Sequence, residues 1–184
     1  MTSPRILLLP GWQNSGPGHW QSLWEAKFGD LRVEQHDWMQ PLRGDWISRL
    51  EDVVQQHSGP VLLAAHSLGC HLVAAWAAVS PSTAKVQAAL LVAPPDVARA
   101  DLPPQLHRWT QPVLQALPFP SKVVASTDDP FSSLDAAAQL AAHWGATLHN
   151  IGPHGHINAE SGLGDWPQGR ELLLTTVVFN RPEA

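Results

Sequence analysis

The sequence contains 184 residues, of which 44% are hydrophobic and 15% are charged, and its formal net charge is -5. This composition is typical of a globular protein and excludes a disordered chain. The 11 basic residues are scattered rather than gathered into a stripe, so we expect no binding to nucleic acid. The length fits one domain, and we expect residues 1–184 to form it.

The cysteine content and the apolar runs limit the cellular setting. Cys70 is the single cysteine, so no disulfide can form within the chain, and a cysteine-based metal site is disfavoured. The first apolar run covers four residues before Pro10, which is too short for the core of a signal peptide. No later run reaches the roughly 20 apolar residues of a transmembrane helix. We therefore expect a cytoplasmic protein without a membrane partner.

Short apolar runs alternate with longer amphipathic segments along the chain. The strand candidates are, in order, RILLL (5–9), LRVEQH (31–36), VLLAA (61–65), VQAALLV (86–92), KVVAS (122–126) and ATLHNI (146–151). The helix candidates are residues 18–28, 45–57, 68–79, 134–144 and 169–179. This alternation predicts an α/β fold, with a doubly wound, mainly parallel sheet of about six strands.

The segment between the fourth and fifth strand candidates differs from the rest of the chain. Residues 94–120 contain seven of the 17 prolines, so regular secondary structure is disfavoured there. We expect this segment to be irregular and to pass over the ends of the strands, with little further material for a cap.

Ser67 lies at a junction between a predicted strand and a predicted helix. Ligands of open parallel sheets bind at the carboxyl ends of the strands, so residues that directly follow strands are the candidates for chemistry. The sequence AHSLG matches the small-x-Ser-x-Gly pattern of a nucleophile elbow, with Ala65 where glycine is more usual. A helix N-cap is the alternative interpretation of Ser67, because serine is among the best capping residues.

Acidic and basic candidates follow two later strands. Asp128 and Asp129 follow the fifth strand candidate, where a carboxylate can orient a histidine, although Asp before Pro is also ordinary turn chemistry. Asp129 is the better candidate, and Asp128 is its hydrogen-bonding neighbour. His156 follows the sixth strand candidate in a glycine-rich loop, and histidine is the side-chain type whose unperturbed pKa suits a base near neutral pH. His154 is a rival base, two residues away.

The order of these candidates is serine, then acid, then histidine, each after a predicted parallel strand. That is the chain order of the α/β-hydrolases. We therefore predict a catalytic triad of Ser67, Asp129 and His156. An oxyanion hole needs two backbone N–H groups, which we expect from Leu68, directly after the serine, and from Trp12, in the loop after the first strand.

Four side chains are candidates for the substrate pocket. Gln13 is one of them, and its N–H is the alternative oxyanion donor to that of Trp12. The others are Trp12, His66 and Trp109, although packing in the core is an equal interpretation of the Trp12 indole.

Four segments of the chain together resemble a known family. They are PGWQNSGPGHWQSLWE, AHSLGC, STDDPF and GHINAESGLGDWPQG, and they extend from the first strand to the last helix. In these segments the sequence resembles the retinoblastoma-binding protein 9 / YdeN family of small α/β-hydrolases, in its bacterial branch. The resemblance implies a nearly capless serine hydrolase without a metal or other cofactor. Position by position, it assigns the nucleophile to Ser67, the acid to Asp129 and the base to His156.

These observations predict a serine hydrolase that cleaves a small-molecule carboxylic ester, or an amide, through an acyl-enzyme. A protein-binding module that retains the hydrolase fold is the main alternative, because fold alone does not establish function. A metal-dependent hydrolase is a weaker alternative, suggested by the pair His154 and His156. The sequence leaves open a protein partner or a homo-oligomer.

Overall fold

Six strands form one sheet in the computed structural model, which describes residues 4–178. The strands are β1 (Arg5–Leu9), β2 (Leu31–Arg32), β3 (Val61–His66), β4 (Val86–Val92), β5 (Ser121–Ala125) and β6 (Thr147–Asn150). Their order across the sheet is β2-β1-β3-β4-β5-β6, and every neighbouring pair is parallel. The predicted α/β architecture, with about six mainly parallel strands, is confirmed.

Within residues 4–178, five α-helices cover both faces of the sheet, four of them between strands and one after the last strand. They are α1 (Trp20–Phe28), α2 (Arg43–Gln56), α3 (Leu68–Ala77), α4 (Leu134–Trp144) and α5 (Pro167–Val178). The last helix begins two residues before the predicted start, since proline suits the first helical position. Phe179, the last residue of the predicted helix, lies outside the described residues. No helix within residues 4–178 has the length and apolarity that crossing a membrane requires.

Alternating residues of the strands divide the core into two layers. In β1, Leu7 and Leu9 pack into one layer, together with residues of α2, α3 and α4, whereas Ile6 and Leu8 pack into the other. Trp20 of α1 belongs to this second layer, together with residues of α5. Because both faces are covered, the inner strands are apolar along nearly their whole length, as in other doubly wound sheets.

The second strand and the proline-rich segment each differ from the predictions in one detail. The strand candidate 31–36 is a strand only over β2, although the N–H of Val33 still donates to the carbonyl of Leu8 (2.9 Å). The following residues, 34–36, are polar and leave the sheet edge. The proline-rich segment 94–120 is irregular, as predicted, except for a 3₁₀ turn at Pro104–Trp109.

The strand order brings the loops after β1 and β3 together. The chain passes from β1 to β2 on one side of β1, and then returns to β3 on the other side. Such a reversal opens a crevice at the carboxyl ends of the strands. Ser67 directly follows β3, and Gly11 lies in the loop after β1.

Candidate active site

Ser67 occupies a tight turn between β3 and α3. Its backbone has φ 54° and ψ -125°, a conformation that a serine rarely adopts and that is typical of a nucleophile elbow. Its N–H donates to the carbonyl of Val92 on β4 (2.9 Å). Gly69 approaches β1 so closely that a Cβ atom there would lie 2.3 Å from the carbonyl oxygen of Leu9. Ala65, where glycine is more usual, is fully buried in β3.

Three side chains that are distant in the sequence form one chain of hydrogen bonds. The Nε2 atom of His156 lies 2.9 Å from Ser67 Oγ, and its Nδ1 atom lies 3.0 Å from each carboxylate oxygen of Asp129. A carboxylate can only accept, so Nδ1 carries the proton and Nε2 is free to accept the serine proton. The side chain of Asp129 is 3% exposed and that of His156 is 10% exposed. This arrangement can withdraw a proton from Ser67.

The loop that carries Asp129 is stabilised by backbone donors and by its neighbour Asp128. The N–H of Phe131 donates to Asp129 Oδ1 (2.9 Å). Asp128 Oδ1 accepts from Ser126 Oγ (2.7 Å) and from the N–H of Gly155 (2.7 Å), so it joins the acid loop to the histidine loop. These two hydrogen bonds, the one from Ser126 first, lower the pKa of Asp128.

His154, the rival histidine, uses its backbone rather than its ring in this loop. Its N–H donates to Ser126 Oγ (2.9 Å), and its carbonyl accepts from Ser161 Oγ (2.6 Å). The histidine ring that reaches Ser67 is that of His156. Among residues 4–178, no group of three or more histidine, cysteine, aspartate or glutamate side chains is arranged to hold a metal ion.

The two residues predicted to supply the oxyanion donors, Trp12 and Leu68, line the cavity that contains Ser67. Within the described residues, the N–H groups of Trp12 and Leu68 donate to no protein acceptor. The N–H of Gln13 instead donates to the carbonyl of Trp38 (3.0 Å), which removes it as an oxyanion donor. A Cβ atom on Gly11 would lie 2.8 Å from the Cβ atom of Ser67, so glycine allows this loop to approach Ser67.

The cavity that contains Ser67 has a volume of about 570 Å³. Three of the four predicted pocket residues line it, namely Trp12, Gln13 and His66. A second surface depression, of about 640 Å³, lies at the start of α2 and includes neither Ser67 nor His156. The first cavity is therefore the candidate active site.

The structure corrects the prediction for Trp109. Its side chain is 1% exposed, and the indole packs at 6.0 Å from that of Trp46 on α2 rather than along the cavity. Its Nε1–H donates to the carbonyl of Pro41 (2.8 Å). The bulk and apolar character of tryptophan favour burial when a hydrogen-bond acceptor is available for the indole N–H.

Several residues of the cavity were missed by the sequence analysis. Arg99 and Leu102 lie in the segment 94–120, which was predicted to pass over the strand ends. The proline content of this segment indicated its path but not which of its side chains line the cavity. Phe131 lies two residues after Asp129, and its ring contacts the ring of His156 with centroids 4.6 Å apart.

His66 contacts the loop that carries His156 through a hydrogen bond to its backbone. Its Nε2 atom lies 2.8 Å from the backbone carbonyl oxygen of His156, to which it donates. Burial, followed by the neighbouring His19 and His156, lowers the pKa of His66 well below its ordinary value. Trp20 Nε1–H donates to the next carbonyl, that of Ile157 (3.1 Å), whose residue has φ 49°. These two donors hold a backbone conformation that a β-branched residue rarely adopts.

Comparisons with known proteins agree with this architecture. A family model described as serine hydrolase matches residues 6–175. A YdeN-like hydrolase from Pectobacterium atrosepticum is 30% identical, with a TM-score of 0.81, over 98% of this chain and 94% of the other. The ydeN gene product of B. subtilis is 18% identical, with a TM-score of 0.74, over 96% and 100%. A carboxylesterase from Bacillus subtilis is 14% identical, with a TM-score of 0.62, over 98% and 85%. Among curated proteins, none matches the chain.

Proposed function

Because the chain belongs to the serine hydrolase family, as a YdeN-like small α/β-hydrolase, we propose that it cleaves a small carboxylic ester with a Ser67–His156–Asp129 triad. The observation that carries this proposal is the continuous chain of hydrogen bonds from Ser67 Oγ, through both nitrogens of His156, to the carboxylate of Asp129. A nucleophile, a base and a group that orients the base are the three roles that acyl transfer requires.

In the first half of the reaction, His156 Nε2 accepts the proton of Ser67 as Oγ attacks the ester carbonyl carbon. The negative charge that develops on the carbonyl oxygen is stabilised by the N–H groups of Trp12 and Leu68. The bond to the alcohol oxygen then breaks, and that oxygen takes the proton from His156. The products of this half are the free alcohol and an acyl ester of Ser67.

In the second half, a water molecule replaces the alcohol. His156 accepts a proton from the water as its oxygen attacks the acyl carbon, and the proton then passes to Ser67 Oγ as the acyl bond breaks. Asp129 remains ionised throughout. It keeps the proton of the imidazole on Nδ1 and stabilises the imidazolium that forms twice in each cycle.

The volume and lining of the cavity support a small substrate. A cavity of about 570 Å³ holds a compact acyl group, and Leu102, Leu106 and Phe131 give it an apolar side. The shared fold of a protein named as a carboxylesterase is consistent with ester cleavage.

Hydrolysis of p-nitrophenyl acetate and p-nitrophenyl butyrate by purified variants tests this proposal. We expect Ser67→Ala to abolish turnover and Asp129→Asn to lower kcat by about 10⁴-fold, because asparagine favours the wrong imidazole tautomer. His154→Gln is the matched control, since it removes the neighbouring histidine, and it should retain turnover. The matching p-nitroanilides distinguish amide from ester cleavage. Equal turnover by wild type and Ser67→Ala, or no turnover by folded wild type, would contradict the proposal.

A further inference from the structure

Besides His66 and His156, a third histidine, His19, lines the cavity that contains Ser67. His19 is the N-cap of α1 and is 4% exposed. Its ring contacts that of His66 with centroids 4.5 Å apart, and His66 in turn contacts His156 at 4.9 Å. His19 is thus close to the reacting groups, although it has no part in the chain of hydrogen bonds from Ser67 to Asp129.

The hydrogen bonds of His19 determine which nitrogen carries its proton. The N–H of Gln21 donates to His19 Nδ1 (3.1 Å), so Nδ1 is an acceptor. Burial, followed by the positive charge of Arg32 and by His156, lowers the pKa of His19 to about 3. The ring is therefore neutral near pH 7, and its one proton lies on Nε2.

Among residues 4–178, that proton has no acceptor. His19 Nε2 is buried and has no hydrogen-bond partner among residues 4–178, whereas buried polar groups are paired in the great majority of cases. Two other buried side-chain atoms in this part of the chain also lack partners, Gln35 Oε1 and His71 Nδ1. Both are acceptors, since His71 donates through Nε2 to Pro95, and neither residue lines the cavity. Within residues 4–178, His19 is therefore the residue that both lines the cavity and carries a buried donor without a partner.

The charges around the cavity limit what this donor can bind. The charged residues that line it are three carboxylates and one guanidinium: Asp96, Asp101, Glu160 and Arg99. The guanidinium donates to both oxygens of Asp101 (2.9 and 2.6 Å) and to the carbonyl of Pro130 (2.6 Å). A carboxylate on the substrate would meet this net negative charge, so an uncharged oxygen is the favoured acceptor.

We propose that His19 Nε2–H binds a second, uncharged oxygen of the substrate, such as a ketone, ether or hydroxyl oxygen, while Ser67 attacks the ester carbonyl. This subsite rests on the proposed function, because it selects among substrates of the same reaction. The preferred substrate is then an ester that carries an additional oxygen acceptor in its acyl or alcohol part, rather than a simple alkyl ester.

Matched pairs of esters test the subsite, because the two members of each pair have the same shape and differ in one oxygen. The pairs are p-nitrophenyl methoxyacetate with butyrate, p-nitrophenyl 4-oxopentanoate with 4-methylpentanoate, and 2-methoxyethyl butyrate with butyl butyrate. The readout is the ratio of kcat/KM within each pair, divided by the ratio of the rates with hydroxide alone. Where turnover is too slow to measure, the readout is instead how strongly each ester slows the labelling of Ser67 by a fluorophosphonate probe.

The variants His19→Asn and His19→Ser remove the Nε2 donor and retain an oxygen that can cap α1. We expect wild type to prefer the oxygen-containing member of at least one pair, and both variants to lose about 5-fold of that preference, the usual effect of one neutral hydrogen bond. Equal ratios in wild type and variants for every pair would overturn the subsite. If both variants unfold, the kcat/KM ratios of wild type test the subsite. A wild type that shows no preference in any pair would reject the subsite.

Labelling of Ser67 by the fluorophosphonate separates the two proposals. Labelled wild type with unchanged ratios contradicts the His19 subsite alone. A folded wild type that is not labelled contradicts the proposed serine hydrolase mechanism itself, and with it the subsite.

Discussion

The backbone of Ser67 is strained, and its immediate neighbours hold it in place. A non-glycine residue at a positive φ of this kind costs on the order of 1–3 kcal/mol. The N–H of Ser67 is held by the carbonyl of Val92, and its own carbonyl accepts from the N–H of Cys70 (2.9 Å). Gly69 completes the turn by allowing α3 to contact the end of β1. The position of Ser67 therefore depends on residues outside the proposed triad.

Gly69→Ala tests this dependence. The added Cβ atom would lie 2.3 Å from the carbonyl oxygen of Leu9, so α3 must move away from β1. We expect the free energy of unfolding to fall by about 3 kcal/mol, measured by urea denaturation. Gly44→Ala on α2 is the matched control, because a Cβ atom there meets nothing within 4 Å, and stability should be equal or higher. Equal stability of the two variants would contradict the account.

The proximity of Ser67, Asp129 and His156 could be predicted from the sequence because position in a parallel sheet is itself a geometric constraint. Each follows a strand, and the carboxyl ends of β3, β5 and β6 lie on the same edge of the sheet. His19 carries no such signal, since it follows no strand directly. Only the structure identifies its Nε2 atom as unpaired within residues 4–178, because it shows that the N–H of Gln21 donates to Nδ1.

At the scale of elements, the predictions were most accurate for strands in the middle of the sheet. The bounds of β1 and β4 agree with the predicted runs, because both faces of these strands are buried and their sequences are continuously apolar. β2 is an edge strand, and its end depends on hydrogen bonds to a single neighbour. The sequence carries little information about where such pairing stops.

The connection between β4 and β5 shows what a composition signal cannot specify. Its many prolines predict an irregular path, and the path is largely irregular. The buried position of the Trp109 side chain depends instead on its contacts with Trp46 and with the carbonyl of Pro41, which are more than 60 residues away in the sequence. A pairing of this kind is set by tertiary packing, so the assignment of Trp109 to the pocket was wrong.

At the scale of the whole molecule, burial of neutral histidines makes stability depend on pH. Burial is the main cause that lowers the pKa of His19 to about 3 and that of His71 to about 4, and it lowers the pKa of His66 as well. Below the ordinary value of 6.5, the unfolded chain binds protons that the folded chain does not. The stability that these neutral histidines contribute is therefore complete above pH 6.5. It is lost as the pH falls towards the folded-state pKa, which is about 4 for His71 and about 3 for His19.

We expect the free energy of unfolding to decrease from pH 7 to pH 5 by up to about 2 kcal/mol for each of these histidines. Urea denaturation at the two pH values measures it. In His71→Gln, the amide can still donate to the carbonyl of Pro95 but cannot titrate, so the decrease should be smaller by one such increment. A wild-type stability that does not change between pH 7 and pH 5 would contradict this explanation.

Labelling with a fluorophosphonate probe tests whether His156 activates Ser67. The probe forms a phosphorus–oxygen bond to an activated serine with loss of fluoride, and mass spectrometry of the peptides identifies the modified residue. We expect label on Ser67 in wild type, no label in Ser67→Ala, and strongly slowed labelling in His156→Ala. Folded wild type without label, or label that persists in Ser67→Ala, would contradict the activation of Ser67 by His156.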